Sequence, residues 1–502
     1  MITVEEDCIV ETIMGKVRGY KRRGVIKFKG IRYASPPVDA LRFKPPSPVE
    51  SWTGVRDTLK YSPISPQPLS SLENMFGEAP KQDEASCLTL NIWTQAIDDK
   101  RRPVMFFIHG GGFLTGNGGS LDGSRLVLRG DVVVVSINYR LGVLGFLYVP
   151  ETPEITANNG LQDMVAALKW TIENISKFGG DPKNLTIFGE SAGASAVACL
   201  LAMPSAKGLF QKAILQSTAA RKNRFSVESG KKIYESTIQK LGIKKGDINA
   251  LYKVQAEEII KTQTTLERIG VGRPMVGPVI DGKILPEHPL EAIRKGFAKD
   301  IKIFIGSNLD ENKLWTMWNP KASEITEEGL LKSTMRVMRA LKKNEGKAEE
   351  LIKVYKRTRK SPRDLEDAIL TDYTFHIASI RIAEYQSQYQ PNTFMYLFTW
   401  KSPMEGGKYG AMHILELPFV FGLMGDKAMG VYPRKTPETQ ELSEKMMDAW
   451  IAFAHTGNPN HENIPTLPAY DLQKRATIFF DREITIVEDP YSDERAIWDD
   501  LV

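Results

Sequence analysis

Four short, mainly apolar runs recur along this chain, and each is followed at once by small or polar residues. They cover residues 104–108, 185–188, 302–306 and 393–398. Short apolar runs that end at glycines or polar turns are typical of buried strands. The second run is followed, after a turn, by residues 194–203, which are small, apolar and compatible with a helix. The pattern therefore predicts core strands that pass into loops, and one strand–turn–helix unit.

The turn inside that unit reads Gly-Glu-Ser-Ala-Gly, with Ser191 at its centre. A serine on a sharp strand-to-helix turn is lifted clear of the backbone, and glycines flank it because side chains there would collide with the neighbouring strand and helix. A bare Gly-x-Ser-x-Gly match also arises by chance, so the rest of the sequence decides its meaning. A nucleophilic serine needs a base, a group that orients the base, and donors for the oxyanion.

The oxyanion donors are indicated by a glycine run directly after the first core strand. Residues 104–108 end in His109, and three glycines follow at 110–112. Such a loop leaves backbone N–H groups free to converge on a ligand. We expect Gly111 and Gly112 to donate to an oxyanion together with Ala192, the residue after the serine. A plain flexible turn is the alternative, and a phosphate-binding loop would end in Lys-Ser or Lys-Thr, which is missing here.

The base is expected to be a histidine that follows the serine in the chain, with an acid between them. The six histidines are His109, His288, His376, His413, His455 and His461. Of these, His413 follows both the strand 393–398 and the glycine-containing loop 404–410, which is where a loop-borne base is expected. The others lie in the glycine loop, in a proline turn, in a polar helical stretch, or beside the turn 457–460.

The acid is less well defined by the residues themselves. The strand 302–306 runs into a polar segment that contains Asp310 and Glu311. Either carboxylate could accept a hydrogen bond from His413, and the spacing does not choose between two neighbours whose side chains point in different directions.

Further motifs continue in the same order along nearly the whole chain. They are found at residues 15–19, 28–34, 41–46, 87–92, 138–142, 159–163 and 178–182, ahead of the serine turn. With that turn, they resemble the type-B carboxylesterases, the family that includes the cholinesterases, and are closest in character to the bacterial p-nitrobenzyl-esterase-like members. The resemblance implies an α/β-hydrolase fold: a mostly parallel central sheet flanked by helices, a small N-terminal antiparallel sheet, and helical insertions over the active site. The motif order spreads one catalytic domain over 1–502, and the charged, strand-poor stretch 320–390 is expected to be a mainly helical insertion within it.

Carried over residue by residue, the resemblance makes Ser191 the nucleophile and His413 the base, and it favours Glu311 over Asp310. Ser217 resembles a buried serine that hydrogen-bonds the triad acid. Two further expectations follow. Arg140 and Asp163 resemble a structural ion pair, and Glu190 either tunes the field of the pocket or points to the surface.

Departures from the family pattern narrow this reading. Secreted relatives bond the cysteine equivalent to Cys87 to an upstream cysteine. In this chain the upstream position is a serine, Ser65, so that loop disulfide is not expected. The usual acidic partner of Arg42 is replaced, although Glu84 or Asp83 could reach it. Cholinesterases hold quaternary ammonium on a tryptophan in this loop, and residues 66–86 contain none, which counts against a choline ester.

Composition and charge exclude several other classes of protein. With 66 basic and 61 acidic residues the formal charge is +5, too balanced for a polyanionic partner, and the basic run 356–360 is interpreted as a solvated helix end rather than a nucleic-acid patch. No apolar run approaches the ~20 residues of a membrane span, and the first residues do not resemble a signal peptide. Three cysteines and no export signal favour the cytoplasm. No metal cluster or cofactor motif is present in the sequence.

The sequence therefore predicts a serine carboxylesterase that hydrolyses small-molecule esters through an acyl-enzyme. Two alternatives stay open: an amidase or carbamate hydrolase with the same triad, and a non-catalytic binding relative. The latter is disfavoured because such proteins lose the serine or the histidine. Candidate pocket residues are Trp315, Met317, Trp318 and Phe419.

Overall fold

The chain begins with strands, and strands and helices then alternate over residues 102–216. The computed structural model describes residues 6–69, 80–150, 152, 155–221, 225–266, 275–316, 324–425 and 433–501. Among the predicted pocket residues, Met317 and Trp318 lie outside the described residues.

The strands are β1 Glu6–Thr12, β2 Gly15–Arg22, β3 Val25–Arg32, β4 Val55–Asp57, β5 Thr89–Thr94, β6 Arg102–Ile108, β7 Val133–Ile137, β8 Gly180–Glu190, β9 Lys212–Gln216, β10 Lys302–Asn308, β11 Thr393–Phe398, β12 Thr477–Phe480 and β13 Thr485–Val487.

The helices are α1 Ser124–Gly130, α2 Gly142–Phe146, α3 Asn159–Asn174, α4 Ala192–Leu200, α5 Val227–Lys240, α6 Ile248–Lys253, α7 Ala256–Leu266, α8 Pro289–Arg294, α9 Lys313–Thr316, α10 Glu327–Ala340, α11 Lys347–Tyr355, α12 Pro362–Thr371, α13 Ile377–Ser387, α14 Leu417–Phe421, α15 Pro437–Thr456 and α16 Ser492–Ile497. A π-helical turn, Asp372–His376, connects α12 to α13. Helices α10 to α13 and this turn occupy most of the described part of 320–390. That they form an insertion in a single domain stays a prediction.

The first compact unit comprises the described residues of Met1–Ile214, Phe225–Arg268 and Pro274–Pro289. Its strands are ordered β1-β2-β3-β5-β7-β6-β8, with β4 beside β2. The pairs from β1 to β7 are antiparallel, whereas β7-β6 and β6-β8 are parallel. The predicted N-terminal antiparallel strands are therefore present, and they continue into the parallel part of the sheet through β5.

The second unit comprises the described residues of Leu215–Arg224, Ile269–Arg273 and Leu290–Val502. Its strands are ordered β10-β11-β12-β13, parallel except for the last pair. Strand β9 contributes 212–214 to the first unit and 215–216 to the second.

The apolar runs in the sequence are the central strands, as predicted. Every residue of β6 is buried, and so is every residue of β11. Strands covered on both faces lose the alternation of apolar and polar residues, which is why these segments read as continuous runs. Helix α4 is buried at every position and packs against β8. A helix that is apolar all round belongs in a core, so the serine turn is fixed between two buried elements.

Two ion pairs expected within the first unit are present. Arg140 donates to Asp163 from Nε at 2.8 Å and from Nη2 at 2.6 Å, and both side chains are buried. Arg42 donates to Glu84 at 2.7 and 2.5 Å, which settles the choice between Glu84 and Asp83. Paired and hydrogen-bonded in this way, the four charges are tolerated in the interior. Cys87 is a free, buried thiol, in keeping with the absence of its disulfide partner.

None of the described helices is long and apolar enough to cross a membrane.

Candidate active site

Ser191 occupies the junction between β8 and α4 in a strained backbone conformation. Its φ is 58° and its ψ is −118°, a combination that residues other than glycine seldom adopt. A Cβ at Gly189 would lie 2.6 Å from the carbonyl carbon of Gly193, and one at Gly193 would overlap the carbonyl oxygen of Ile108. The glycines are thus required by close packing, as the sequence predicts. Backbone strain of this kind is frequent at functional turns.

The glycine loop after β6 lies against this turn within the same unit. A Cβ added to Gly110 would lie 3.2 Å from Cβ of Ser191. Gly111 and Gly112 have φ values of 96° and 68°, and a Cβ at Gly111 would overlap the carbonyl of Thr115. No described residue accepts a hydrogen bond from the N–H of Gly111 or Gly112. Both predicted donors are therefore available in a loop whose backbone glycine alone allows.

A glutamine side chain braces the far end of the loop. The N–H of Gly116 donates to Oε1 of Gln67 at 2.8 Å, and Nε2 of Gln67 donates back to the carbonyl of Gly116 at 3.0 Å. His109 stacks on Tyr139, with ring centroids 4.4 Å apart. Burial lowers the pKa of His109 to about 4, so this ring is neutral and belongs to the loop's framework.

Glu190 is buried, with 2% of its surface exposed. Its Oε2 lies 2.8 Å from the position that a Cβ on Gly110 would take. The surface-pointing alternative for Glu190 is therefore wrong: the carboxylate lies beneath the glycine loop.

In the second unit, Glu311 and His413 form a buried pair. Nδ1 of His413 lies 2.5 Å from Oε2 of Glu311, and the two side chains are 2% and 0% exposed. The N–H of Asn308 donates to the other carboxylate oxygen at 2.8 Å. A carboxylate placed in this way orients the imidazole and favours the tautomer whose Nδ1 carries the proton.

Asp310, the neighbouring acid, has different partners. Its Oδ2 accepts a hydrogen bond from the N–H of Ala411 at 3.0 Å, and its Oδ1 lies 3.0 Å from Nζ of Lys313. A Cβ on Gly410 would overlap the Asp310 carboxylate. Asp310 therefore holds the backbone of the loop that carries His413, while Glu311 contacts the imidazole itself.

Ser217 corrects an expectation from the resemblance. Its N–H donates to the carbonyl of Gly306 at 2.8 Å, and its φ is 57°. Within the described part of the chain its buried hydroxyl has no hydrogen-bond partner, so the predicted bond to Glu311 is not formed. The partners of the Glu311 oxygens among the described residues are instead the N–H of Asn308 and the imidazole of His413.

Glu416 is a residue of this site that sequence reasoning missed. Its carboxyl oxygens accept from Nε2 of Gln216 at 3.1 Å and from Nδ2 of Asn308 at 2.7 Å. Burial, and next the charge of Glu311, raise the pKa of Glu416 to about 7. The available signal was a lone acid in the otherwise apolar segment 414–421.

Two aromatic rings contact the imidazole of His413. The ring centroid of Phe375 is 4.5 Å away and that of Trp315 is 5.0 Å away. Trp315 was a pocket candidate, whereas Phe375 was not singled out by its sequence. Phe419, the other described pocket candidate, packs on Phe398 and Trp400 and is fully buried, so it is a core residue.

The mixed sheet, the flanking helices and the serine turn define the α/β-hydrolase class. Residues 6–498 of the chain match a family profile described as "Carboxylesterase family". The chain therefore belongs to the carboxylesterase family, and the protein is a carboxylic ester hydrolase.

Individual relatives agree with this assignment. The para-nitrobenzyl esterase of Bacillus subtilis is 42% identical over 97% of each chain, and the phenmedipham hydrolase of Pseudarthrobacter oxydans is 34% identical over 94% of each. A solved carboxylesterase of Geobacillus stearothermophilus, EST55, superposes with a TM-score of 0.87 at 38% identity, over 98% of this chain and 99% of its own. The predicted family and fold are both confirmed.

His376 makes a pH dependence of stability testable. Its Nδ1 lies 2.8 Å from the hydroxyl of Ser307, and burial lowers its pKa to about 4 from 6.5. As the pH falls from 6.5 towards 4, His376 binds a proton in the unfolded chain but stays neutral in the folded chain. The free energy of unfolding therefore falls on acidification. The variant His376→Asn should show a smaller drop in melting temperature between pH 7 and pH 4.5 than the wild type. The matched exchange at the exposed His455 should leave the drop unchanged. Parallel curves for His376→Asn and wild type would contradict this account.

Proposed function

We propose that this carboxylesterase works through an acyl-enzyme on Ser191, with His413 as the base and Glu311 as the acid of the triad. The observation that carries the proposal is the buried contact of 2.5 Å between Nδ1 of His413 and Oε2 of Glu311. That contact commits Nδ1 to the carboxylate, so proton transfer falls to Nε2. The strained, glycine-flanked backbone of Ser191 supports its role as the nucleophile.

In the acylation step, Oγ of Ser191 attacks the ester carbonyl carbon while His413 takes the hydroxyl proton on Nε2. Glu311 stabilises the imidazolium that forms, and the proton is not passed on to its carboxylate. The tetrahedral intermediate then collapses, the bond to the alkoxy oxygen breaks, and the imidazolium gives its proton to the leaving alcohol. The serine is left as an ester.

Gly111, Gly112 and Ala192 are proposed as the donors to the oxyanion. The support for the two glycines is that their N–H groups donate to no described residue, and Ala192 is the first residue of α4. The first N–H groups of a helix have no partner within it and face the positive end of the helix dipole. Donors of this kind each contribute about 10²–10³-fold to turnover.

In the deacylation step, His413 activates a water molecule that attacks the acyl carbon, and the proton returns to Oγ of Ser191. The carboxylic acid leaves and the enzyme is regenerated. Glu190, buried beneath the glycine loop, adds a fixed polar group next to the reacting centre.

The proposed substrates are small-molecule carboxylic esters. The relative from Bacillus subtilis is named for para-nitrobenzyl esters, which makes these a rational first choice for this chain. Choline esters are not expected, because residues 66–86 contain no tryptophan. A cytoplasmic location stays a prediction.

Loss of the nucleophile is the first test. Ser191→Ala should lower kcat for a p-nitrophenyl ester by at least about 10⁴-fold, because no acyl-enzyme can form. Its matched control is Ser195→Ala, one turn further along α4. In this variant the N–H of residue 195 still donates to the carbonyl of Ser191, a bond of 2.9 Å in the wild type. Most activity should therefore remain. Both rates are measured by release of p-nitrophenol, and full turnover by Ser191→Ala would refute the proposed nucleophile.

A second test separates the two neighbouring acids. Glu311→Gln keeps the shape of the side chain but removes the charge that stabilises the imidazolium, so kcat should fall by about 10²–10⁴-fold. Asp310→Asn weakens only the bracing of the loop and should lower kcat by less than about 10-fold. The comparison uses steady-state kinetics on folded variants. A larger loss of kcat from Asp310→Asn than from Glu311→Gln would show that Glu311 is not the acid of the triad.

A further inference from the structure

The imidazole of His413 is part of a cluster of three rings, with Phe375 and Trp315. The centroids of Phe375 and His413 are 4.5 Å apart with planes 28° from parallel, and those of Trp315 and His413 are 5.0 Å apart. Phe375 and Trp315 also stack on each other at 5.7 Å. The reaction steps above give neither aromatic ring a task.

Phe375 is presented by the π-helical turn Asp372–His376. Such turns insert one extra residue into a helix, change the direction of the side chains that follow, and are frequent at functional sites. The turn is attached to β10 and to the segment after it, which carries the acid. His376 contacts the hydroxyl of Ser307 in β10 at 2.8 Å, and Thr371, just before the turn, accepts from the N–H of Asn312 at 3.1 Å. Glu311 lies between these two attachment points in the chain.

A single hydrogen bond fixes a distance but leaves a rotation. The bond from Nδ1 of His413 to Glu311 allows the imidazole to tilt about the Nδ1–Oε2 axis, and such a tilt displaces Nε2. A flat ring stacked on the imidazole opposes this motion, because the tilt would drive the two planes into each other. Catalytic groups must be held within about 0.5 Å and 10–20° of their productive geometry, so removal of this restraint affects the rate.

We propose that Phe375 is a positioning residue for His413, and that the π-helical turn holds its ring in place for this purpose. The proposal rests on the assignment of His413 as the catalytic base. Phe375 is 4% exposed, so it is covered by protein rather than offered to a substrate. Trp315 is only half-buried, which makes Phe375 the cleaner residue to test.

The experiment compares Phe375→Leu with Phe375→Tyr on p-nitrophenyl acetate, butyrate and octanoate. Leucine keeps apolar bulk but has no flat face, so kcat should fall by about 10- to 100-fold, and by the same factor for all three esters. KM should change by less than about threefold. Tyrosine keeps the ring and should recover most of kcat. Phe375→Met, which core sites tolerate well, replaces the leucine variant if that one does not fold.

The control is Tyr373→Leu on the same turn. Tyr373 is also buried, and its ring lies 6.4 Å from that of Trp498 rather than against His413. Its loss should lower the melting temperature as much as Phe375→Leu does, while kcat stays within about threefold of wild type.

Three results would overturn the proposal: wild-type kcat in Phe375→Leu, equal loss of kcat in both leucine variants, or a loss that depends on acyl-chain length, which would make Phe375 a pocket wall. Failure of the proposed function is a separate result. It would be seen as wild-type turnover in Ser191→Ala, whatever the Phe375 variants show.

Discussion

The buried contact between Glu311 and His413 is the interaction on which the surrounding loops depend. A carboxylate removed from water needs hydrogen-bond partners, and here the N–H of Asn308 and the imidazole of His413 provide one for each oxygen. The neighbours of the pair serve the same end. Asp310 fixes the backbone at Ala411, and the Asn308 side chain bridges the carbonyl of Met412 and the carboxyl of Glu416. Two loops that are 102 residues apart in sequence are thereby held in one arrangement.

The serine side of the chemistry is built from backbone constraints instead. The positive φ of Ser191, the glycines packed on the carbonyl of Ile108, and the glycine loop braced by Gln67 leave little freedom in this part of the first unit. Backbone donors held in place before the reaction need no reorganisation as the oxyanion develops, which is the main advantage of such a loop. The two halves of the proposed mechanism thus use different means: a hydrogen bond to a buried carboxylate for the base, and close packing for the nucleophile.

Sequence patterns predicted the parts of this site that depend on local structure. The strand–serine–helix turn, the glycine loop and the position of His413 follow from apolar runs, glycines and chain order. The residues alone left Asp310 and Glu311 open, since adjacent side chains diverge and spacing carries no direction. The family resemblance favoured Glu311, which is the acid that contacts His413 in the structure. Phe375 and Glu416 were missed because their importance comes from tertiary contacts: a π-helical turn has no sequence signature, and an acid in an apolar segment shows its partners only after folding. The hydrogen bond expected from Ser217 is not formed, and the described partners of the Glu311 carboxylate are Asn308 and His413 instead.

The central claim is that the ester's acyl group passes through Ser191, and rapid-quench mass spectrometry tests it most directly. The enzyme is mixed with p-nitrophenyl butyrate, quenched in acid within milliseconds, and digested. If acylation outpaces deacylation, a burst of p-nitrophenol close to one equivalent per chain is expected, together with a butyryl group on the peptide that carries Ser191. Because His413→Ala lacks the base and acylates slowly, its peptide with Ser191 should stay unlabelled on the same timescale. A butyryl group on another residue, or a burst of p-nitrophenol without a butyryl group on that peptide, would contradict this claim.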